Sequence, residues 1–317
     1  MINLSELAKK LLTEKKIALI CHVRPDGDTI GSACALKRAL ISKGIEAQVF
    51  CEDKIPEKFM FLPDAKEIKN TFDSSFETIV AIDCADIQRL GGFAEQFQKA
   101  KNTFVIDHHI SNTRFGKTNY VKDNPANAQN VYELIKEMGA PIDVECANLL
   151  YLGLITDTGN FRHKNVIPES FLVASELVKL GADFNGIYYR MFSAQSKERA
   201  KLFGKTMSKI RFMLDGRFAI ATVMLSDLAE CGASADETEG FIDFVMGIDC
   251  VEVGACLLEM APDSFKISFR SKEANVNAVA GSFGGGGHIL ASGCRINLPY
   301  EEVIDRITFA VSRELKD

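Results

Sequence analysis

Histidines and aspartates recur in this sequence in a pattern that suits metal binding. The first group is His22-x-x-x-Asp26-x-Asp28; Asp83 follows alone; Asp107-His108-His109 is contiguous; Asp157 stands in Gly153-Leu154-Ile155-Thr156-Asp157-Thr158-Gly159. Carboxylates at Asp26, Asp28, Asp83 and Asp157 gathered in one crevice would repel each other, and without a counter-charge some would stay protonated. Divalent cations remove that conflict. Mixed carboxylate and imidazole donors suit Mn2+ or a similar first-row ion better than Ca2+ or Zn2+, with Mg2+ and Co2+ as alternatives. Two such ions about 3.5 to 4 Å apart would activate a bridging water and polarise a phosphoryl group. Each piece alone has a plain structural explanation: Asp26-Gly27-Asp28 is a common turn or helix cap, and Asp83 a strand-end cap. The joint pattern carries the inference to a two-metal site drawn from His22, Asp26, Asp28, Asp83, the Asp107-His108-His109 triplet and Asp157.

These residues follow apolar runs that read as strands. Ile17-Ala18-Leu19-Ile20-Cys21 leads into His22, Thr78 to Ile82 into Asp83, and Thr103 to Ile106 into Asp107. Ala47 to Phe50 is a further strand. Helical patterns cover Thr29 to Lys43, closed by Gly44, then Asn127 to Met138, Val144 to Leu154 and Pro168 to Leu180. Continuous strand-forming runs separated by helices predict an α/β fold, with a mostly parallel sheet covered on both faces. Ligands of such sheets bind beyond the carboxyl ends of the strands, where these side chains stand. Asp157 is expected in a polar loop where a helical pattern breaks.

With 317 residues the chain exceeds the usual single-domain size. From Arg217 the pattern becomes strand-rich, with runs at Phe218 to Val223, Val253 to Glu259 and Phe265 to Arg270, and a last helix from Tyr300 to Leu315. The expected division is a first domain over 1–187, a helical linker over 188–205 and a smaller α/β domain over 206–317. No run of about 18 apolar residues calls for a membrane helix. The segment Met1-Ile2-Asn3-Leu4-Ser5-Glu6 lacks a signal-peptide layout, so a cytoplasmic location is expected. The nine cysteines are scattered with no Cys-x-x-Cys pair, and several sit in apolar runs as small hydrophobes. A net charge of −6 argues against a general grip on long nucleic acid but not against a small phosphorylated ligand held beside metal ions.

Ser282-Phe283-Gly284-Gly285-Gly286-Gly287-His288 is too rich in glycine for a strand or helix interior and is expected as a loop. Its glycines would let backbone N–H groups approach a phosphate, and His288 could add a donor.

The chain resembles the DHH phosphoesterase superfamily, named for the triplet that stands here as Asp107-His108-His109. His22-Val23-Arg24-Pro25-Asp26-Gly27-Asp28-Thr29-Ile30-Gly31-Ser32 resembles its first motif, Ile82-Asp83 its second and Thr156-Asp157-Thr158-Gly159 its fourth. The resemblance implies that His22 and Asp26 bind one Mn2+, that Asp28, His108 and Asp157 bind another, and that Asp83 bridges both. It implies further that His109 faces substrate phosphate while Asp107 supports it. Phe265 to Ser271, the glycine run, His288 and Ala291-Ser292-Gly293 resemble the DHHA1 domain of one subfamily. There an arginine and the GGGH stretch bind substrate, which points to Arg270, Gly284, Gly285, Gly286, Gly287 and His288, with Arg162 as a further phosphate contact. His163 has no clear family role.

Within the superfamily, the arrangement without extra domains resembles the branch of oligoribonucleases and 3′-phosphoadenosine 5′-phosphate phosphatases. That implies hydrolysis of short RNA, of pApA-type dinucleotides or of the 3′-phosphate of 3′-phosphoadenosine 5′-phosphate, by attack of a metal-bridged hydroxide. The expected partner is a short RNA or small nucleotide, with no long duplex and no membrane; dimerisation stays open, although family members are often dimers. The rivals are a manganese inorganic pyrophosphatase, which would lack the GGGH loop, a longer processive exonuclease, and a regulatory nucleotide-binding protein without catalysis.

Overall fold

The apolar runs of the first half pair into a single sheet. The computed structural model describes residues 2–72 and 76–315, and the chain divides into two compact units, Met1–Ala194 and Gln195–Asp317. In the first unit β1 (Lys16–Cys21), β2 (Glu46–Phe50), β3 (Thr78–Ile82), β4 (Asn102–Asp107) and β5 (Thr118–Val121) form an all-parallel sheet in the order β2-β1-β3-β4-β5. Alternate residues of β1 enter two different cores: Ile17, Leu19 and Cys21 pack with the helices α1 (Leu4–Leu12), α2 (Gly27–Ser42), α4 (Asn127–Glu137) and α5 (Val144–Asp157). Ala18 and Ile20 pack with Phe50, Phe76, Phe93 and Phe97, the last on α3 (Ala94–Lys99). Burial on both sides is why these strands read as unbroken apolar runs. The short edge strand β5, Thr118-Asn119-Tyr120-Val121, buries only Tyr120, and its polar residues hid it from the sequence pattern.

The strand order reverses between β1 and β3: the chain leaves β1 toward β2 on one side, then returns to build β3, β4 and β5 on the other. A parallel sheet opens a crevice at such a point, beyond the carboxyl ends of the two strands. Two helices close over this region at unusually short range. A Cβ on Gly31 of α2 would lie 2.3 Å from the Leu149 carbonyl oxygen of α5, and one on Gly153 would lie 2.8 Å from Asp28 Oδ1. Glycine thus lets α2 and α5 touch through their backbones, which brings Asp28 toward the end of α5.

Helix α5 continues through Asp157, its last helical residue, so the expected break before that position is corrected. The polar residues stay helical because their hydroxyls bond back along the helix: Thr156 Oγ1 donates to the Leu152 carbonyl at 2.9 Å and Thr158 Oγ1 to Leu154 at 2.6 Å. A tight turn follows, with positive φ at Gly159, Asn160 and Phe161. The unit ends with α6 (Pro168–Lys179), opened by proline at its first turn, and α7 (Phe184–Tyr188).

The second unit contains α8 (Lys197–Met207), β6 (Arg211–Met213), β7 (Phe218–Val223), α9 (Leu225–Cys231), α10 (Phe241–Met246), β8 (Val253–Ala261), β9 (Ser264–Ser271), α11 (Val276–Gly281), β10 (Gly286–His288), β11 (Ala291–Asn297) and α12 (Tyr300–Ser312). Its strands form one mixed sheet ordered β10-β11-β9-β8-β7-β6, in which β7 and β8 are the parallel pair. Phe265, Ile267, Phe269 and Ile296 face a core shared with Val279 of α11 and Ile304 and Ile307 of α12. Residues 188–205 contain the division between units, and α8 packs against β7 and α9 of the second. The glycine run is not wholly a loop: Gly286 to His288 pair with β11 as an edge strand. A Cβ on Gly285 would lie 2.2 Å from the Gly293 carbonyl oxygen, so side chains are excluded there by the neighbouring backbone. All nine cysteines are free, seven of them buried, and among the described residues no helix is long and apolar enough to cross a membrane.

The backbone contact at Gly31 gives a direct test of the α2–α5 crossing. Gly31→Ala is expected to lower the unfolding free energy by about 1–3 kcal/mol in urea titrations, the usual cost of overpacking. An unchanged midpoint and slope would show that the two helices can separate without loss.

Candidate metal centre

The crevice between β1 and β3 is lined by side chains that the strand ends deliver. His22 follows β1 directly, and its Nε2 lies 3.4 Å from Asp26 Oδ2 and 3.7 Å from Asp83 Oδ2. Asp26 caps α2: its Oδ1 accepts from the backbone N–H groups of Asp28 at 3.0 Å and Thr29 at 3.1 Å, leaving Oδ2 for His22. Asp83 follows β3 with φ at 59°, a left-handed conformation uncommon outside glycine, held by its N–H bonded to the Ile106 carbonyl at 2.9 Å. His108 follows β4. Its Nδ1 carries a proton, because it donates to the Asn124 carbonyl at 2.8 Å, so Nε2 points inward and offers its lone pair there once the ring is neutral. That Nε2 lies 3.3 Å from Asp83 Oδ1 and 3.3 Å from Asp157 Oδ2.

Asp28 is fully buried at the start of α4. Its carboxylate accepts from the N–H groups of Asn127 at 2.5 Å and Ala128 at 2.8 Å, and from Ser32 Oγ at 3.1 Å. The residue preceding α4 is Ala126, which offers no side-chain cap, so Asp28 supplies one from another helix. One carboxylate therefore ties α2, α4 and the crevice together.

The donors sort into two overlapping groups. His22, Asp26 and Asp83 form one, and Asp28, His108 and Asp157 the other; within each, the donor atoms lie within 4.8 Å of one another. Asp83 lies against both, with Oδ2 toward His22 and Oδ1 toward His108. Its Oδ1 is buried and makes no hydrogen bond, an orphaned acceptor that a cation would satisfy. The residues present therefore fit a pair of divalent ions sharing Asp83. Asp107 and His109 also lie near Asp83. They are engaged with each other, His109 Nδ1 to Asp107 Oδ1 at 2.8 Å, while Asn112 Nδ2 donates to Asp107 Oδ2 at 2.5 Å.

Several supports lay outside the sequence reading. Arg89 places Nη2 2.9 Å from His22 Nδ1, a nitrogen that also approaches the Val23 carbonyl at 2.9 Å. With Nδ1–H donating to that carbonyl and Nε2 free for a metal, Arg89 cannot donate there and remains a cation beside the crevice. The only sequence hint was its place in the polar stretch after Asp83. Asn124 and Asn112 are orienting groups whose partners are distant in sequence. His163 Nδ1 approaches the Asp157 carbonyl at 2.9 Å and so closes the end of α5. Arg162 is exposed in the same turn. Arg270, the Gly284 to Gly287 run and His288 belong to the second unit. There β9 and β11 pair Arg270 with Ala291, which pairs in turn with His288, so the two lie in one row across the sheet.

Metal-free, the cluster compensates its charge with protons. Burial raises the Asp28 carboxyl well above its ordinary range, and Asp83 and Asp157 push it further. Burial and then Asp83 lift Asp157 to about 6. Burial pushes the His108 imidazole down, but Asp83, Asp28 and Asp157 outweigh it and raise it to about 10. His22 is likewise lowered by burial and raised more by Asp26 and Asp83. For His109, pairing with Asp107 exceeds burial and favours the charged ring. At neutral pH and without metal, His108 therefore carries a proton on Nε2 that a bound ion must displace. The sign follows: Mn2+ affinity is expected to rise from pH 6 to pH 8. Calorimetry in buffers of different ionisation enthalpy should register about one or more protons released per chain; buffer-independent heats would contradict this account.

Residues 16–154 match the DHH family, N-terminal domain. A protein of Thermus thermophilus named bifunctional oligoribonuclease and PAP phosphatase NrnA is 33% identical over 309 residues, covering 95% of this chain and 91% of the relative. A Bacillus subtilis protein of the same name is 25% identical, over 92% of this chain and 93% of its own. Among solved structures, an exopolyphosphatase-related protein from Bacteroides fragilis superposes with a TM-score of 0.82 at 25% identity, covering 98% of this chain and 96% of that one. With likeness of this extent over nearly the whole length, the chain belongs to the DHH family.

Proposed function

We propose that this protein is a metal-dependent phosphoesterase that hydrolyses short oligoribonucleotides or dinucleotides, the 3′-phosphate of 3′-phosphoadenosine 5′-phosphate, or both. The observation that carries the reading is Asp83, whose two oxygens face different donor groups and whose buried Oδ1 has no hydrogen-bond partner. His22, Asp26 and Asp83 would hold one ion, and Asp28, His108 and Asp157 with Asp83 the other; Mn2+ suits this imidazole and carboxylate set. When bound, such ions lower the pKa of a water and neutralise charge on a phosphoryl group.

The chain's own residues do the positioning. Asn124 fixes the His108 tautomer so that Nε2 faces inward. Asp107 orients the His109 ring and favours its charged form, leaving Nε2–H to donate to a phosphoryl oxygen as negative charge develops. Arg270 and His288, beside the run Gly284, Gly285, Gly286 and Gly287, would hold the nucleotide's phosphate, and Arg162 offers a further cation. The N–H groups of Gly284 and Gly285 are taken by the Gly281 and Ala280 carbonyls, so there the glycines supply close approach and not donors. The kinds of substrate follow those printed in the names of the Thermus and Bacillus relatives. A cytoplasmic enzyme acting on such substrates would need no basic face for long duplexes, in keeping with the net charge of −6.

The test is an Mn2+-dependent assay on 3′-phosphoadenosine 5′-phosphate, pApA, a five-nucleotide RNA and pyrophosphate. Hydrolysis of at least one nucleotide substrate is expected, and cleavage of pyrophosphate alone would overturn the reading. Arg270→Ala should raise KM for nucleotide substrates by about tenfold or more, the loss of a charged phosphate contact. Unaltered kinetics in that variant would remove Arg270 from the substrate site.

A further inference from the structure

Residues paired across neighbouring strands project to the same side of a sheet. In the second unit His288, Ala291 and Arg270 form one row across β10, β11 and β9; Gly286, Gly293 and Ser268 form the next; Arg295 and Lys266 pair in the third. The alternate residues Phe265, Ile267, Phe269, Cys294 and Ile296 face the core with α11 and α12, so these three rows face away from it. That side has a floor of small residues, Gly286, Gly293, Ala291 and Ser268, edged by His288, Arg270, Lys266 and Arg295.

The third row is electrostatically unusual. Lys266 and Arg295 stand directly opposite each other, an arrangement that like charges disfavour. Both are exposed, and neither forms an ion pair or side-chain hydrogen bond with any described residue. Arg270 has one hydrogen bond of its own, from Nη1 to the adjacent Phe269 carbonyl at 3.0 Å. Lys266, Ser268 and Arg270 also line a groove of about 440 Å³, with Ile242, Leu258 and Met260 as apolar lining. Asp236 and Glu239 line it as well but pair with none of these cations. A pair of unneutralised cations beside a smooth, small-residue floor is suited to a phosphodiester chain, whose charges repeat along its length.

From Arg270 to Lys266 is four residues, about 13 Å along an extended strand. A nucleotide whose phosphate sits at Arg270 and His288 would need further nucleotides to reach the third row. We propose that Lys266 and Arg295 form a second phosphate subsite for the distal part of an oligoribonucleotide, favouring chains of roughly three or more nucleotides over dinucleotides. This rests on the assignment of Arg270 and His288 to the first phosphate. Lys266 and Arg295 act on chain-length preference and leave the chemical step alone.

The test compares the Mn2+-loaded wild type with the Lys266→Gln/Arg295→Gln double variant on a five-nucleotide RNA and on pApA, over a range of salt. For the five-nucleotide RNA, KM should rise about tenfold with kcat unchanged, and the slope of log KM against log salt should fall by about 0.7 per cation removed. The KM for pApA should stay unchanged. An unaltered KM for the five-nucleotide RNA, or an equal rise for both substrates, would overturn the subsite while leaving the phosphoesterase reading intact. If the wild type cleaves neither substrate, the subsite falls, and the phosphoesterase reading then stands or falls on hydrolysis of 3′-phosphoadenosine 5′-phosphate.

Discussion

Four carboxylates and two imidazoles meet where the first sheet's strand order reverses, and their mutual repulsion is the constraint on which the rest of this unit depends. Asp28, Asp83 and Asp157 would not be held so close in low dielectric without compensation. Without metal, raised proton affinities at His108, Asp157 and Asp28 supply it. The fold is built to keep the groups together despite this cost. Asp28 is pinned by backbone N–H groups of α4, Asp83 is held in a left-handed backbone conformation, and Asp157 is fixed by a helix end that His163 and two threonines secure. Backbone contact between α2 and α5 at Gly31 and Gly153 sets the distance between them.

That organisation was partly legible in the sequence. Buried parallel strands show as unbroken apolar runs, and a strand running straight into His or Asp reveals both the strand and a candidate ligand. His22, Asp83 and His108 could be recognised for that reason. Groups that act through tertiary contact left no such trace. Asp28 as the cap of α4 depends on an approach between residues about a hundred positions apart. Arg89 reaches His22 only because the chain after β3 folds back over the crevice. The extension of α5 through Asp157 was hidden by polar residues whose hydroxyls serve the helix itself.

The second unit shows a similar division. Its apolar strands were visible from Phe218 onward, whereas the pairing of Gly286 to His288 with β11 runs against the expectation for a glycine run. Glycine is accepted there because the neighbouring backbone leaves no room for a side chain at Gly285. The resulting register decides which side chains share a face, and it groups Lys266 and Arg295 with Arg270 and His288. Alternation along a strand gives two faces, but only register says which residues of different strands become neighbours. The candidate metal centre and the proposed phosphate contacts thus rest on different kinds of information: strand ends in the first unit, cross-strand pairing in the second.

The central claim is that Asp83 is shared by two ions. Anomalous diffraction from crystals of the protein grown with Mn2+ tests it most directly. The account predicts two peaks about 3.5 to 4 Å apart, one beside His22 and Asp26, the other beside Asp28, His108 and Asp157, with Asp83 between them. A single peak, or ions held by Asp107 and His109 instead, would contradict it.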